Sequence, residues 1–561
     1  MKLPYGIMNF KRIKDENRLY VDKTHFIAML EEEDNPYPFF IRPRRFGKSL
    51  FISLLEHYYD IRFAGEFAHL FGNLYIGKHP TPLANKLLAL SLDFSGLETK
   101  NEDLFKESFR KCVLNRMVDV IYTHETLFKP VSLRAFIKKL ENEKDIKSLV
   151  DIFLAQSNKI GMEVCILIDE YDHFANDIIA MGAESYYKNL VRARGFVRDF
   201  YEAIKEGAKR NIKRIFITGI SPVMLDDLTS GYNISINFST DRKYNEMMGF
   251  TQTEVMGILK TLGFEEKINI ADLGNYYDGY LFNIKALERV YNPDMLLYYI
   301  SRWKEMEAPP EEIVDENVKT DYGRLQQLIK SSKNKEQLDL IMKEEKIKAT
   351  LVKRFSFDLM YEQKYFISLL FYMGFLTFKY EERDLTYLGI PNYVIKTIYW
   401  EYFRKLLESN YDLEIDISQL ETAISNMAFD GELKGFIRLV QEKVLSALSR
   451  RDYIKFDEKY LKVILFSFLS LSRLYRLHSE PEVEGGFIDI YLERDLRFPD
   501  IQYEWLWELK YIKKDQSLEE VKAKGMAQLE RYFSSPQFQG RKNLKKALLI
   551  FKGRDECFIY E

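Results

Sequence analysis

Apolar and polar positions along the first half of the chain follow two alternating patterns. Short continuous apolar runs are separated by longer stretches in which apolar residues recur at helical spacing. This alternation is typical of a parallel sheet covered by helices. The predicted strands are "PFFI" (38–41), "LALSLDF" (88–94), "VCILID" (164–169) and "RIFITGI" (214–220).

The second half of the chain is mainly helical before a second alternating pattern closes it. Helical spacing runs from about 250 to 475, except over 302–350, which is charged and is interpreted as a linker or exposed helices. The closing pattern comprises the predicted strands "GFIDIYL" (486–492), "YEWLWELKYI" (503–512) and "KKALLIF" (545–551) and the predicted helix "LEEVKAKGMAQLERYF" (518–533). We predict an α/β fold with an N-terminal parallel sheet at 1–250, a helical lid at 251–450, with a winged helix as an alternative, and an α/β domain at 451–561.

Composition and charge narrow the functional classes. The 561 residues are 46% hydrophobic and 30% charged, as expected of a globular chain with about two to four domains. A net charge of −3, from 82 basic and 85 acidic residues, excludes a global attraction for nucleic acid, so DNA binding would need a local patch. The three cysteines form no C-x-x-C pair, and no apolar run approaches the roughly 20 residues that span a bilayer. We expect a cytoplasmic chain without a cysteine zinc site or a membrane partner.

A basic segment after the first predicted strand carries half of a phosphate-binding pattern. In "RPRRFGKSLF", the end of G-x-x-x-x-G-K-[ST] is matched by Gly47, Lys48 and Ser49. Arg42 occupies the position of the first glycine. A loop between a strand and a helix presents free N–H groups to phosphates, and Lys48 would neutralise β/γ charge while Ser49 binds Mg²⁺. The alternative is a basic turn in which Ser49 only caps the helix. The residues predicted to surround the phosphates are Arg45, Phe46, Gly47, Lys48 and Ser49.

Two further apolar strands end in polar residues. "VCILIDEYD" (164–172) has the form of a Walker B motif, in which Asp169 would hold Mg²⁺ through water and Glu170 would polarise the attacking water. Solvated acids at the end of a buried strand are the alternative. "RIFITGIS" (214–221) places Thr218 where it would contact the γ-phosphate. Since ligands of open α/β sheets lie beyond the carboxyl ends of the strands, we predict a nucleotide site at this edge.

A series of segments, in this order, resembles a known family. The segments are "YVDKT" (20–24), "RPRRFGKSLF" (42–51), "LDFSGL" (92–97), "LIDEYD" (167–172), "TGISP" (218–222), "GFT" (249–251), "YDGYLF" (277–282) and "YNP" (291–293). Together they resemble the AAA-ATPase-like proteins of bacteria and archaea, in which R-P-R-R-F-G-K-S is the usual loop. The resemblance implies ATP binding by Lys48 and Ser49, with Asp169 and Glu170 in the Walker B roles. It also places "YVDKT" near the nucleotide.

The C-terminal pattern carries a second group of charged residues. Side chains alternate across a strand, so Glu508 and Lys510 share one face of "YEWLWELKYI". Asp489 lies in the preceding predicted strand between two isoleucines, where a carboxylate is costly unless it is paired or binds a metal. The D…E-x-K pattern is that of a nuclease core, in which Asp489 and Glu508 gather Mg²⁺ and Lys510 orients water. A surface salt-bridge ladder has the same spacing and is the alternative.

The order of elements around this pattern resembles the PD-(D/E)XK nuclease domain that commonly follows the AAA-ATPase-like domain. The resemblance assigns Asp489 and Glu508 as metal ligands, Lys510 as the catalytic lysine, Glu480 as the upstream glutamate and Gln528 as the helical glutamine. Many relatives carry Gly-Arg before the aspartate strand, whereas Gly486 is followed here by Phe487. This departure removes one phosphate contact and leaves the assigned catalytic residues intact.

These patterns predict an ATPase fused to a Mg²⁺-dependent DNA nuclease, with the nucleotide state gating nuclease action. The expected cofactors are ATP and Mg²⁺, and the expected partners are DNA and, in a nucleotide-dependent homo-oligomer, further copies of the chain. By analogy, such coupling would serve defence against mobile DNA or DNA repair. The alternative is a STAND-type switch, in which ATP drives oligomerisation and the C-terminal domain binds DNA or a partner without cleaving.

Overall fold

The chain folds as two compact units. The first comprises Met1–Ser301, Val314–Gln337 and Lys346–Asn392, and the second comprises Arg302–Ile313, Leu338–Glu345 and Tyr393–Glu561. The computed structural model describes all residues except 130–131, 182, 193–194, 225–226, 228–231, 316–331, 355–358, 360–361, 449–456, 485, 496, 513–515 and 554–555. The domain boundaries drawn from the sequence stay predictions.

The first unit is built on a five-stranded parallel sheet. Its strands are β1 (Pro38–Ile41), β2 (Leu88–Asp93), β3 (Val164–Asp169), β4 (Ile212–Gly219) and β5 (Ile236–Asn237). They pair in parallel in the order β2-β3-β4-β1-β5. Every residue of β1 and β3 is buried, which explains their uninterrupted apolar sequences. The four strands predicted from the sequence are all present.

Helices surround this sheet and continue into the middle of the chain. Among them, α3, α6 and α12 contact sheet strands. In chain order the helices are α1 (Phe10–Asp15), α2 (His25–Glu32), α3 (Lys48–Tyr59), α4 (Phe67–Phe71), α5 (Tyr75–Lys78), α6 (Glu102–Thr123), α7 (Glu125–Phe128), α8 (Leu133–Asn142), α9 (Ile146–Lys159), α10 (His173–Ala180), α11 (Glu184–Val191), α12 (Phe196–Ala208), α13 (Gln252–Leu262), α14 (Ile270–Tyr277), α15 (Pro293–Met306) and α16 (Ser332–Glu344).

The middle of the chain is helical, as predicted, and also contains a small antiparallel sheet. After α16 come β6 (Lys346–Lys348), α17 (Gln363–Tyr372), β7 (Thr377–Glu382) and β8 (Leu385–Gly389). The three strands pair in the order β6-β8-β7, an arrangement that fits the winged-helix alternative. Seven consecutive residues of α17 are buried, so this helix packs inside the protein.

The described part of the charged segment 302–350 is more buried than the linker or exposed helices that its sequence indicates. Within the segment, 316–331 lies outside the described residues. The described part includes α16, which buries Leu338, Ile341 and Met342. Apolar residues at helical spacing therefore bury one side of α16 despite its charged sequence.

The second unit contains a mixed five-stranded sheet. Its strands, with a short separate pair, are β9 (Tyr475–Ser479), β10 (Glu482–Val483), β11 (Gly486–Phe487), β12 (Ile490–Arg494), β13 (Glu504–Tyr511), β14 (Leu544–Lys552) and β15 (Glu556–Tyr560). The main sheet has the order β15-β14-β13-β12-β9, in which β13 and β14 are parallel and the other neighbours antiparallel. The helices are α18 (Tyr393–Tyr411), α19 (Ile417–Phe429), α20 (Lys434–Lys443), α21 (Glu458–Leu469) and α22 (Leu518–Phe533).

The crossover helix α22 makes the parallel pairing of β13 with β14 possible. Parallel neighbours cannot be joined by a tight turn, so the chain returns through a helix on one face of the sheet. Gly525 lets α22 approach β14 closely, because an added Cβ would lie 2.6 Å from Cδ1 of Leu548. The predicted α/β class is thus confirmed for both ends of the chain. In the part of the chain that the structure describes, no helix is long and apolar enough to cross a membrane.

Candidate functional site

The loop between β1 and α3 has the strand–loop–helix context that phosphate binding requires. α3 begins at Lys48, and Gly47 is its N-cap residue. Gly47 precedes it with φ +88°, in the left-handed region that favours glycine. Because Gly47 has no capping side chain, the first N–H groups of α3 stay available for an anion.

Arg42, which replaces the first glycine of the pattern, has its side chain in the core. The guanidinium donates to the carbonyl oxygens of Ile41 (3.0 Å), Ser239 (2.5 Å) and Tyr244 (2.8 Å). It also lies 3.9 Å from the ring centre of Phe282, a favourable cation–π distance. Burial lowers the pKa of Arg42 to about 9, so the side chain still carries its charge at neutral pH. Arg42 therefore anchors the loop to a distant segment instead of binding phosphate.

Lys48 and Glu170 lie together, as the predicted nucleotide site requires. Nζ of Lys48 donates to the carbonyl oxygen of Pro43 at 3.2 Å and lies 3.8 Å from Oε1 of Glu170. Oε2 of Glu170 is buried and has no hydrogen-bond partner among the described residues. Glu170 also has φ +52°, a sparsely populated conformation for a non-glycine residue. Such strain at the end of a buried strand points to a functional constraint on this carboxylate.

Asp169 is buried at the end of β3 beside the predicted Mg²⁺ ligand Ser49. The Ser49 hydroxyl donates a hydrogen bond to the Asp169 carboxylate, and the N–H of Glu170 donates to its Oδ1 at 3.0 Å. Burial raises the pKa of Asp169 to about 6. The Ser49 hydrogen bond and nearby Lys48 oppose this shift, whereas the Glu170 charge adds to it. A divalent cation would offset the cost of burying this carboxylate, so the donor set fits Mg²⁺.

These groups line a cavity of about 460 Å³ within the first unit. Its volume and mixed polar and apolar walls suit a ligand of nucleotide size. The apolar walls include Ile7, Met8, Leu19, Met248, Phe250 and Leu297. The segment "YVDKT" contributes Tyr20, Val21 and Lys23 to the wall. Lys23 is itself held by ion pairing with Glu254 at 2.6 Å, which connects the N-terminal segment to α13.

The structure brings some predicted nucleotide-site residues to this cavity and not others. Arg45 and Phe46 line it, and the Phe46 ring packs edge-on against Tyr280 at 4.9 Å. Thr218 is fully buried, and its Oγ1 has no hydrogen-bond partner within the described ranges. It is not among the residues that line the cavity. The proposed γ-phosphate contact of Thr218 stays a prediction that this geometry does not support.

Sequence reasoning missed two acidic residues of the cavity wall, Asp93 and Asp294. Asp93 ends β2 and pairs in register with Asp169, and its charge further raises the Asp169 pKa. The available signal was the position of Asp93 at the end of an apolar strand, in the quoted segment "LDFSGL". Asp294 follows "YNP" and gave no local signal, because its role depends on a contact with a loop about 250 residues earlier.

In the second unit, β13 separates its polar and apolar side chains by alternation. Trp505 donates from Nε1 to the carbonyl oxygen of Met427 at 3.1 Å, and Trp507 packs against Phe436. Glu508 and Lys510 lie on the opposite face, with Nζ of Lys510 at 2.6 Å from Oε1 of Glu508. The predicted sharing of one face is confirmed by these contacts.

Asp489 meets this pair, although it does not lie within a strand as predicted. β12 begins only at Ile490, and Asp489 occupies the bend before it. Oδ2 of Asp489 accepts a hydrogen bond from the N–H of Leu509 at 2.8 Å. The carboxylate is therefore fixed to the backbone between Glu508 and Lys510. Asp489 thus contacts β13 from the bend that precedes β12.

Burial and mutual repulsion shift the protonation of this cluster. Burial and the neighbouring Asp489 charge raise the pKa of Glu508 to about 7, against the hydrogen bond from Lys510. Burial also raises the pKa of Asp489, while the Leu509 N–H opposes that shift. Burial would lower the pKa of Lys510, but its hydrogen bond to Glu508 and the carboxylate charges outweigh burial and raise it. The cluster thus holds carboxylates that would ionise more readily beside a cation.

Glu458 and Lys462 on α21 extend the cluster and were missed from the sequence. Oε1 of Glu458 accepts from the N–H of Tyr511 at 3.2 Å, and its charge acts on the cluster carboxylates. One turn later, the positive charge of Lys462 acts on Asp489. Lys462 also forms an ion pair with Glu480, the glutamate assigned from the resemblance. Glu480 is therefore linked to the cluster through Lys462. The signal available was the i, i+4 spacing of Glu458 and Lys462 at the start of an apolar helix.

The cluster fits a divalent cation through two carboxylates. Oε2 of Glu508 is buried without a hydrogen-bond partner among the residues described, as expected of an oxygen placed for a metal. No group of three or more histidine, cysteine, aspartate or glutamate side chains is arranged to hold a metal in the described ranges. Asp489 and Glu508 would therefore share the ion with water or backbone oxygens, the ligands that Mg²⁺ commonly keeps.

Gly486 and Phe487, which stand where many relatives carry Gly-Arg, have different surroundings. Gly486 has φ +148°, and an added Cβ would lie 2.7 Å from the hydroxyl of Tyr532, so glycine is needed there for space and conformation. Phe487, which replaces the arginine of many relatives, is 58% exposed. The assigned glutamine, Gln528, is half-buried on α22.

The first unit places a Gly-Lys-Ser loop between a strand and a helix at the edge of a cavity, and the second unit carries a D…E-x-K cluster. Comparison with family models agrees with both. Residues 4–229 match the family described as predicted AAA-ATPase, and residues 456–561 match the PD-(D/E)XK nuclease superfamily. The chain therefore carries an AAA-ATPase-like domain followed by a PD-(D/E)XK nuclease-superfamily domain, which confirms both resemblances.

Two individual proteins are similar to parts of this chain. An uncharacterized protein in the vnfD 5′ region of Azotobacter chroococcum mcd 1 is 28% identical over 320 residues, which cover 54% of this chain and 52% of that protein. The match thus spans about half the length of this curated relative. A structure of the Aeropyrum pernix ORC2 protein in ADPNP–ADP complexes has a TM-score of 0.26 and 12% identity, covering 69% of this chain and 97% of that one.

The anchoring role of Arg42 predicts that restoring the pattern's glycine is harmful. Arg42→Gly should lower the free energy of unfolding by about 3 kcal/mol, because three buried carbonyl oxygens lose their donor. Urea unfolding of the full chain measures this. Arg45→Gly, in the same loop, is the matched control and should be nearly neutral, since glycine relieves the φ of +69°. Equal stability of Arg42→Gly and wild type would contradict the anchoring role.

The raised pKa of Glu508 predicts pH-dependent metal binding by the second unit. Protons and metal compete for this carboxylate, and protonation becomes dominant as the pH falls through about 7. Mn²⁺ affinity, measured by calorimetry, should be about tenfold weaker at pH 6 than at pH 8. Glu508→Gln should bind Mn²⁺ weakly at both pH values. A wild-type affinity that does not change over this range would exclude Glu508 as a ligand.

Proposed function

We propose that this protein is an ATPase joined to a Mg²⁺-dependent DNA nuclease. The observation that carries the proposal for the first unit is the convergence of Lys48, Asp169 and Glu170 on one cavity. For the second unit it is the hydrogen bond from the Leu509 N–H that fixes Asp489 beside Glu508 and Lys510. The two family matches support both halves of the proposal.

In the first unit, the residues have separable roles. Lys48 would move from the Pro43 carbonyl to the β- and γ-phosphates, which offer it a stronger, charge-assisted contact. Ser49 and Asp169 would hold Mg²⁺, which supplies charge compensation on the phosphates when it is bound. Glu170 would take a proton from, or polarise, the attacking water. Its unpartnered Oε2 is suited to that task.

In the second unit, Asp489 and Glu508 would hold Mg²⁺, which supplies Lewis acidity at the scissile phosphate. Lys510 is already hydrogen-bonded to Glu508, so its ammonium group is oriented before substrate arrives. It would orient the attacking water and stabilise negative charge on the phosphate. DNA is the proposed substrate, because the superfamily match is to nucleases and the metal-carboxylate chemistry suits phosphodiesters.

The regulatory part of the proposal is that nucleotide state gates the nuclease. We further propose a nucleotide-dependent homo-oligomer, a cytoplasmic location, and a role in defence against mobile DNA or in DNA repair. These steps rest on the presence of both domain types in one chain and on analogy.

A STAND-type switch with a non-cleaving C-terminal domain is the second candidate. The close Lys510–Glu508 ion pair is compatible with it, because a purely structural salt bridge would have the same geometry. The unpartnered Oε2 of Glu508 favours cleavage instead, since a structural pair would leave no buried oxygen unsatisfied.

The nucleotide assignment predicts distinct effects of two substitutions. Lys48→Ala should weaken ATP binding about 100-fold, because it removes the main charge on the phosphates. Glu170→Gln should keep ATP affinity and lower kcat about 100-fold, since it removes only the group that polarises water. Calorimetry and phosphate release measure the two quantities. Lys86→Ala, an exposed lysine outside the cavity wall, is the matched control. Equal ATP affinity in Lys48→Ala and wild type would refute the assignment.

The nuclease assignment predicts that metal binding and cleavage can be separated. Lys510→Met should retain Mn²⁺ yet cleave DNA at least about 100-fold more slowly, whereas Glu508→Gln should lose both. The assay uses linear, branched and single-stranded DNA with Mg²⁺, with and without ATP, and Glu519→Gln as the control at an exposed acidic position. Ca²⁺ should not support cleavage.

Two outcomes of this assay would change the proposal. An intact DNA panel under every condition would favour the STAND-type switch. Cleavage by Glu170→Gln that is identical with and without ATP would remove the gating step while leaving the nuclease assignment in place.

A further inference from the structure

Two side chains at the N-terminal end of α15 contact the loop between β1 and α3, and the loop residues that they contact, Arg44 and Arg45, are consecutive. The first contact passes through Asn292, which is fully buried. Its Oδ1 accepts from the N–H groups of Asp294 (3.1 Å) and Met295 (3.3 Å) and so caps the helix. Its Nδ2 donates to the carbonyl oxygen of Arg44 at 3.4 Å. One side chain therefore joins the helix start to the loop backbone.

The second contact is an ion pair between Arg45 and Asp294. Nη1 of Arg45 lies 3.6 Å from Oδ2 of Asp294, and both residues line the nucleotide cavity. The Arg45 side chain is 36% exposed and that of Asp294 is 16% exposed, so the pair lies at the cavity surface and is open to competition. Arg45 has φ +69°, a conformation that arginine rarely adopts. This unfavourable conformation places a cation within the loop that is predicted to surround phosphate.

The contact pairs a loop cation with a carboxylate in a cavity suited to polyphosphate. Lys48 is in the same situation, because it lies beside Glu170. A triphosphate carries several negative charges and presents oxygens that a guanidinium can bind in bidentate fashion. It would therefore compete effectively for Arg45, while the backbone of the loop stays held through Asn292.

We propose that Asp294 and the nucleotide phosphates compete for Arg45. Resting on the proposed function, this inference assigns Arg45 as a phosphate-binding residue and Asp294 as the positioning residue that holds it in the nucleotide-free protein. Binding of a nucleoside triphosphate transfers Arg45 to the phosphates and releases Asp294 in the first turn of α15. The start of α15 thereby senses whether the phosphate site is filled.

The test is a double-mutant cycle on binding of the non-hydrolysable analogue AMP-PNP with Mg²⁺, measured by calorimetry. Asp294→Asn should bind about three- to fivefold more tightly than wild type, because Arg45 no longer has to leave a carboxylate. Arg45→Gln should bind about three- to fivefold more weakly. The double variant should bind like Arg45→Gln alone if the effect of Asp294 on nucleotide binding runs through Arg45, as proposed.

Two further variants separate this mechanism from a general effect on charge or folding. Asp272→Asn makes the same charge change in the first turn of α14, outside the cavity wall, and should bind like wild type. Asp294→Glu retains the carboxylate and should also bind like wild type. Equal affinities of Asp294→Asn and wild type, or additive effects in the double variant, would overturn the inference. Absence of AMP-PNP binding by wild type would instead refute the proposed nucleotide function.

Discussion

The buried guanidinium of Arg42 is the contact on which the nucleotide cavity depends. A phosphate loop must hold its backbone N–H groups in fixed positions, and glycine-rich loops do so with tight local turns. Here the constraint comes from elsewhere in the chain, because Arg42 binds carbonyl oxygens at 239 and 244 and the Arg44 carbonyl is held by Asn292. The loop is thus positioned by long-range contacts, and its conformation depends on the folding of the whole first unit.

Both sites share a second physical principle, which is the burial of carboxylates on sheet strands or next to them. Asp169 and Glu508 have raised pKa values because burial disfavours their charged forms. Lysine side chains lie near both carboxylates, and at each site they oppose the raised pKa without cancelling it. Such sites store unfavourable electrostatic energy that a divalent cation relieves. A divalent cation bound at either site would therefore compete with protons for these carboxylates.

The sequence predicted what local periodicity encodes. Continuous apolar runs located β1 to β4, and alternation placed Glu508 and Lys510 on one face of β13. It did not predict contacts between distant segments, such as those of Arg42 or Asp294, since no local pattern reports them. Asp489 was assigned to a strand because of its isoleucine neighbours, whereas the structure places it in a bend.

The sequence also does not predict the burial or the charged neighbours of a candidate side chain, because both depend on tertiary packing. Thr218 lies near the end of β4, yet its side chain is fully buried. Glu458 lies 50 residues from Glu508 along the chain, and only the packing of α21 brings its charge to the cluster. The assigned residue roles themselves stay predictions.

The parallel pairing of β13 with β14 has a consequence for synthesis of the protein. β13 carries Glu508 and Lys510, but its second edge stays unpaired until α22 has formed and β14 has been made. A nascent chain that stops within α22 would expose an apolar, hydrogen-bonding edge prone to association with other chains. The cluster around Glu508 would also lack the layer that buries it. Synthesis of β14 therefore decides whether β13 presents an exposed edge or lies within a paired sheet.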